Sequence, residues 1–253
     1  MWPTSNRATF QVRKNNTENS KKGNRSTPEN LEVLYEDNHI IAVNKRPGDI
    51  VQGDKTGDIP LSEIVKAYIK KKYEKPGAVF LGVVHRLDRP TSGIVLFART
   101  SKALARLNAA FSKKKPHKTY WAVVESTPMA DSGRLVHWLK KNPQQNKSYA
   151  YEKEVPGSKK AELTFKTIGK LDHYSLLEIQ LLTGRHHQIR AQLGAQGAII
   201  KGDVKYGARR GNRNGSIHLH ARELRLEHPV GNSDINLIAE PPDDPVWNQC
   251  LHF

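Results

Sequence analysis

An α+β fold, with a mixed, mostly antiparallel central sheet, flanking helices and a basic cleft, is what this sequence predicts. Three observations carry that reading. From Tyr149 to Leu182 three strand-length runs follow one another across short turns, the pattern of hairpins rather than of strict β-α-β alternation. Helical periodicity is confined to a few short stretches. And 41 Lys and Arg against 25 Asp and Glu leave a net charge of +16 over 253 residues, a balance that suits a polyanionic partner.

Residues 1–30 hold six basic, two acidic and five apolar side chains among many Asn, Ser and Thr. So little apolar surface cannot offset the entropy of ordering, so a disordered basic arm is predicted there and a folded domain over 31–253. The arm serves solubility or loose phosphate contact. Leu31–Tyr35 and Ile40–Val43 read as paired strands around an Asp37-Asn38 turn. Leu61, Ile64, Val65, Tyr68 and Ile69 mark one face of a helix, and Lys70 to Lys72 suit the negative end of its dipole. Two apolar runs, Val79–Val84 and Ile94–Ala98, read as buried strands on either side of a charged loop. Ser101 is placed to cap a helix with Leu104, Leu107 and Phe111 on its buried face. Further strands are predicted at His117–Val124, Gly133–Leu139, Tyr149–Val155, Ala161–Ile168, Tyr174–Leu182, Ile217–Leu226 and Ile235–Ala239. Thr183 is placed to cap a helix running to about Gly197, with Ile189 and Leu193 buried and Arg185, His186 and Arg190 in its early turns. Arg209–Arg213 forms a basic loop tip.

Composition narrows the function. Nucleic acid is the commonest polyanion, and no helix pairs an apolar aromatic face with a basic one to favour a membrane surface instead. Cys250 is the one cysteine, which excludes an internal disulfide and suits a reducing cytoplasm. No apolar run reaches the roughly 20 residues that span a bilayer. The histidine pairs His186-His187 and His218-x-His220 lack acidic or thiol companions at metal-ligand spacing, so no metal is predicted. Ser92 is not in a Gly-x-Ser-x-Gly elbow, and neither a Walker loop nor Gly-x-Gly-x-x-Gly occurs, so nucleotide cofactors lack support.

What stands out is Val84-His85-Arg86-Leu87-Asp88-Arg89-Pro90-Thr91-Ser92-Gly93, where a carboxylate sits between two arginines. Arg86 and Arg89 are the cations predicted beside Asp88. A structural ion pair on a loop is the bland alternative. The string His85-Arg86-Leu87-Asp88 followed by Thr91-Ser92-Gly93 resembles the HRLDxxTSG signature of the RluA-type pseudouridine synthases. The resemblance extends through Leu34–Ile40, Val43–Gly48, Lys118–Ala122, Gly184–Arg190, Gly202–Gly207 and His220–Pro229, in order, over about residues 31–245.

That resemblance implies the pseudouridine synthase fold, an isomerase acting on ribosomal or transfer RNA, and no cofactor. It implies Asp88 as the catalytic carboxylate, Arg190 as its partner, and Tyr120 as the aromatic that stacks on the uracil. His85, Arg86, Thr91, Arg185, His187 and Gln188 would shape the pocket and contact the nucleotide. His186 stands where the family commonly has Thr or Ser, and Gln192 where histidine is common; both bear on substrate detail rather than chemistry. No S4 RNA-binding domain is expected ahead of residue 31. A monomer in the cytoplasm, with RNA as partner, no membrane and no obligate protein partner, completes the expectation. The competing reading is a non-catalytic RNA-binding or RNA-chaperone protein on the same fold, against which the joint presence of Asp88, Tyr120 and Arg190 argues.

Overall fold

The computed structural model describes residues 25–125, 130–231 and 233–253. Residues 1–24 of the expected arm lie outside the described residues. Its last six, 25–30, are anchored to the domain at Ser26, which is buried and donates through its amide and its hydroxyl to Asp49.

In chain order the elements are β1 (Val33–Glu36), β2 (Ile40–Lys45), α1 (Leu61–Lys72), β3 (Gly82–Val83), β4 (Ser92–Ala98), α2 (Ser101–Ser112), β5 (His117–Val124), β6 (Ser132–Asn142), β7 (Lys147–Tyr151), β8 (Lys159–Lys170), β9 (Ser175–Leu181), α3 (Gln188–Ala195), β10 (Leu219–Glu227), β11 (Asp234–Ile238) and α4 (Pro245–Cys250). Among the described residues eleven strands form one sheet, ordered β1-β2-β4-β10-β5-β9-β8-β6-β7, with β3 on β4 and β11 on β10. Every pair is antiparallel except β4 and β10, which run parallel through Ser92–His220 and Gly93–Ala221. The predicted mixed, mostly antiparallel sheet is therefore present. No helix among the described residues is long and apolar enough to cross a membrane.

β2 and β4 are buried along their whole length because both faces are covered. Ile41, Val43, Val95 and Phe97 pack with Leu61, Val65 and Ile69 of α1. Ile40, Ala42, Ile94, Leu96 and Ala98 pack with Ala103 and Leu107 of α2. Gly93 adopts φ +112°, and a Cβ there would overlap the backbone of Ala221, so glycine is what lets β10 close against β4.

Four expectations are corrected. The run Val79–Val84 pairs only at Gly82–Val83; Val79 and Leu81 instead pack on the α1 cluster, satisfying their hydrophobicity without a ladder. The cap of α2 is Thr100, not Ser101, its side chain accepting the Ala103 amide at 3.1 Å. Removing that bond in Thr100→Ala will lower the stability to urea by about 1 kcal/mol with no change in the slope of the transition. The third helix starts at Gln188 rather than at Thr183, because His187 takes a left-handed φ of 54° and Thr183 bonds Gln188 instead of capping. Arg185 and His186 thus precede the helix, and Arg190 alone lies in its first turn. Finally, α4 was not anticipated, although Asp244-Pro245 is a strong start signal and Asp244 accepts the Val246 amide at 2.9 Å.

Candidate active site

Asp88 stands in the loop from β3 to β4, and that loop is nailed from several sides. The Thr91 amide donates to Asp88 O at 3.1 Å, Gly48 to Arg89 O at 2.8 Å, and Ile217 to Pro90 O at 3.2 Å. Beneath it lies Lys45, fully buried at the end of β2, donating to the carbonyls of Arg46, Asp49 and Arg89 at 2.9, 2.8 and 3.1 Å. Burial pushes the Lys45 ammonium down to about 7, against the pull of Asp49 and Asp88. One cation therefore ties β2, its following turn and the Asp88 loop together.

The arginines beside Asp88 in sequence do not pair with it. Arg89 turns away to Asp58, to Thr56 at 2.7 Å and to Asp54 at 3.3 Å. Arg86 is exposed on the cavity wall with no partner among the described residues. The cation at Asp88 is Arg190, whose Nη1 donates to Asp88 Oδ2 at 3.0 Å. Its other edge is gripped by Asp203, with Nε to Oδ2 at 2.6 Å and Nη2 to Oδ1 at 2.8 Å. The guanidinium also lies over the Tyr206 ring at 5.1 Å. Burial opposes its charge, but Asp203 and Asp88 outweigh burial and raise its pKa.

His187 sits in the same knot. Its Nδ1 is 3.0 Å from the Tyr206 hydroxyl, which also accepts the Ser148 amide at 2.9 Å. Its Nε2 is 3.6 Å from Asp88 Oδ2. Burial pushes His187 down to about 3 despite Asp88, so the ring is neutral at pH 7 and the contact is polar rather than ionic. His186 stacks on His187 with centroids 3.8 Å apart and holds Ser148 Oγ at 2.9 Å.

Tyr120, in the middle of β5 between Ala221 and Ile179, closes the floor. Burial first and Asp88 second push its phenol up, so it stays protonated at neutral pH. Asp88, Arg190, His186, His187 and Tyr120 line one open cavity of about 1580 Å³. All nine sequence-predicted residues border it, but in different ways. Asp88, Arg190, His187 and Tyr120 converge. Thr91 is buried with its hydroxyl unpartnered, and Arg185 is turned by a bond to Lys160 O at 3.1 Å. His85 and Gln188 are committed to the protein itself. His85 Nε2 accepts the Leu96 amide at 3.0 Å, and burial pushes it down to about 3. Gln188 bonds Thr183 Oγ1, the Arg185 amide and Glu162 O at 2.7, 3.0 and 3.0 Å.

Sequence reasoning assigned no role to Lys45, Asp203 or Tyr206. The last two were visible in Gly202-Asp203-x-x-Tyr206-Gly207, whereas nothing in Asn44-Lys45-Arg46 marks Lys45 as buried. Among the described residues no group of three or more His, Cys, Asp or Glu could hold a metal ion. The histidine pairs are otherwise engaged: His218 with Asp244 at 2.9 Å, His220 with Ser92 and the Ala239 carbonyl at 2.9 and 3.0 Å.

Comparison with known proteins places the chain among relatives of one family. Residues 39–195 match the family described as RNA pseudouridylate synthase. Ribosomal large subunit pseudouridine synthase C of Vibrio vulnificus is 33% identical over 215 residues, which cover 82% of this chain and 64% of that protein. tRNA pseudouridine synthase C of Pectobacterium carotovorum is 32% identical over 230 residues, covering 83% of this chain and 58% of that one. The chain thus spans about 64% of the length of the first of these relatives and 58% of the second. Among solved structures, human RNA pseudouridylate synthase domain containing 4 superposes with a TM-score of 0.71 at 22% identity, over 87% of this chain and 92% of that one. At that identity the likeness is one of fold.

Proposed function

The chain belongs to the RNA pseudouridylate synthase family, and from that premise we propose that it is an isomerase converting uridines of ribosomal or transfer RNA to pseudouridine. The conversion breaks the N1–C1′ bond of the nucleoside and forms a C5–C1′ bond; C5 loses a proton and N1 ends with one. Atoms and electrons balance without an oxidant, a reductant or water, so the chemistry asks for no cofactor. It asks for a carboxylate that attacks the nucleoside or stabilises its sugar cation, and in this reading Asp88 is that group. Arg190 keeps the carboxylate oriented toward the cavity, leaving Oδ1 unbonded to it. Tyr120 stacks on the uracil after the base is turned out of its helix, and its protonated phenol can donate to the rearranging base. Arg86, Thr91, Arg185 and His187 line the cavity around the nucleotide, with His85 and Gln188 holding the walls in place.

The observation that carries the reading is the chain Asp203–Arg190–Asp88, a carboxylate aimed by a cation that is itself fixed, opening onto a cavity floored by a buried tyrosine. The net charge of +16 supports RNA as the partner; a single chain acting in the cytoplasm without an obligate protein partner completes the proposal. Names among the relatives support both RNA classes, one acting on the large ribosomal subunit and one on tRNA. The test is tritium release from RNA labelled at uridine C5, drawn from cells lacking this gene. The protein is expected to release tritium and to leave pseudouridine at a small set of positions. Tight binding to that RNA without release would move the assignment to an RNA-binding protein.

A further inference from the structure

Lys118 lies on β5 two residues before Tyr120, so the two side chains leave the same face of the strand about 7 Å apart. It is half-buried and lines the cavity. The two buried cations beside Asp88 are satisfied: Lys45 meets three carbonyls and Arg190 two carboxylates, whereas Arg86 is exposed and solvated. The Lys118 ammonium has no hydrogen bond, ion pair or ring partner among the described residues. Its surroundings explain why. On one flank stands His85, neutral and committed to the Leu96 amide. On another is Gly184, where even a Cβ would stand 3.6 Å from the ammonium nitrogen, so no side chain fills that space. Burial lowers the lysine's pKa, and no carboxylate offsets it. A cation held partly out of water with nothing to meet it costs the fold stability. Its counter-ion has to come from outside.

We propose that Lys118 is a substrate-binding residue, whose ammonium takes a backbone phosphate of the RNA strand beside the uridine that rests on Tyr120. This rests on the activity proposed above and adds to it the group that registers the strand. A nucleotide carries its phosphate several ångströms from its base, a separation comparable with the about 7 Å between Lys118 and Tyr120 along the strand. A base carbonyl would offset only part of a full positive charge, and the anion that every RNA strand offers there is phosphate.

The experiment compares the full-length wild type with Lys118→Met, which keeps the stem and removes the charge, and Lys118→Arg, which keeps the charge. The substrate is bulk RNA tritiated at uridine C5. Lys118→Met is expected to raise KM about tenfold with little change in kcat. The slope of log(1/KM) against log salt should flatten by about 0.7, one phosphate contact on a single strand. Lys118→Arg should keep the wild-type slope. Lys118→Met should also melt at a higher temperature than the wild type, because the fold sheds an unpaired charge. A merely structural lysine would show no change in salt slope. Turnover by the wild type with unchanged KM and slope in Lys118→Met overturns the phosphate contact and leaves the activity standing. A raised KM with an unchanged slope also overturns it, in favour of a neutral base contact. No release by the wild type overturns the activity, and the proposal with it.

Discussion

Asp88→Asn protein is expected to release no measurable tritium from C5-labelled RNA, a loss of at least about 10³-fold, while folding and binding RNA much as the wild type does. The substitution is nearly isosteric, so the reasons for each half can be separated. Amide nitrogen cannot attack or stabilise a sugar cation as a carboxylate does, and the chemical step loses its principal group. The fold loses little, because the Asp88 side chain is about a quarter exposed and the loop is held by backbone bonds from Gly48, Thr91 and Ile217 and by Lys45. Arg190 stays fixed by its two bonds to Asp203. Urea unfolding should place the variant within about 1 kcal/mol of the wild type. Its RNA affinity should stay within about threefold, since the phosphate-binding cations are untouched. Retained turnover would remove Asp88 from the chemistry and leave the proposed mechanism without its carboxylate.

Asp203→Asn should be worse for the protein than Asp88→Asn, although Asp203 never touches the substrate in this reading. Its side chain is 1% exposed and accepts from both Nε and Nη2 of an arginine that is 5% exposed. An amide there presents one acceptor and one donor to two donors, so one bond is lost and another becomes a clash of N–H groups. The buried guanidinium is left with Asp88 as its one carboxylate. Removing one member of a buried charged pair costs about 3–5 kcal/mol, and this one should fall in that range by urea titration. Turnover should fall further than the folded fraction does, because Arg190 is the group that aims Asp88. The check is kcat measured at a temperature where the variant remains folded. A folded Asp203→Asn protein with wild-type kcat would show that Arg190 needs no second carboxylate to hold its direction.

Much of this was readable in the sequence where a pattern is local. β5 begins and ends at the expected residues, and α1 buries the stripe Leu61, Ile64, Val65 and Ile69 that its spacing predicted. The strands of the β6 to β9 hairpins are longer or shorter than expected by a few residues, since the cross-strand partners, not the propensities, set their ends. Readings failed where partners are distant in the chain. Asp88 looks paired with its neighbours Arg86 and Arg89, but its cation comes from Arg190, 102 residues away. A loop turns successive side chains in different directions, so adjacency there is no guide to contact. Thr183 had a cap's chemistry but donates to the Gln188 side chain instead, because the left-handed turn at His187 delays the helix. Lys45 could not have been found by composition at all. A lysine is normally solvated, and only three converging carbonyls make its burial tolerable.

The place of β10 has a consequence for how the protein is made. It occupies residues 219–227, far beyond β5 in the sequence, yet it fills the slot between β4 and β5. Until it leaves the ribosome the nascent chain carries two unfinished sheets, each ending in an open, strongly apolar edge. About a hundred residues separate the end of β5 from the end of β10, which at ordinary synthesis rates is about 5–20 seconds of exposure. During that interval Gly93 has no strand to close against and the wall beside Tyr120 is missing. A late zipper strand of this kind leaves two sheet edges open to wrong pairing in the newborn chain, and the cleft is complete only once β10 has joined.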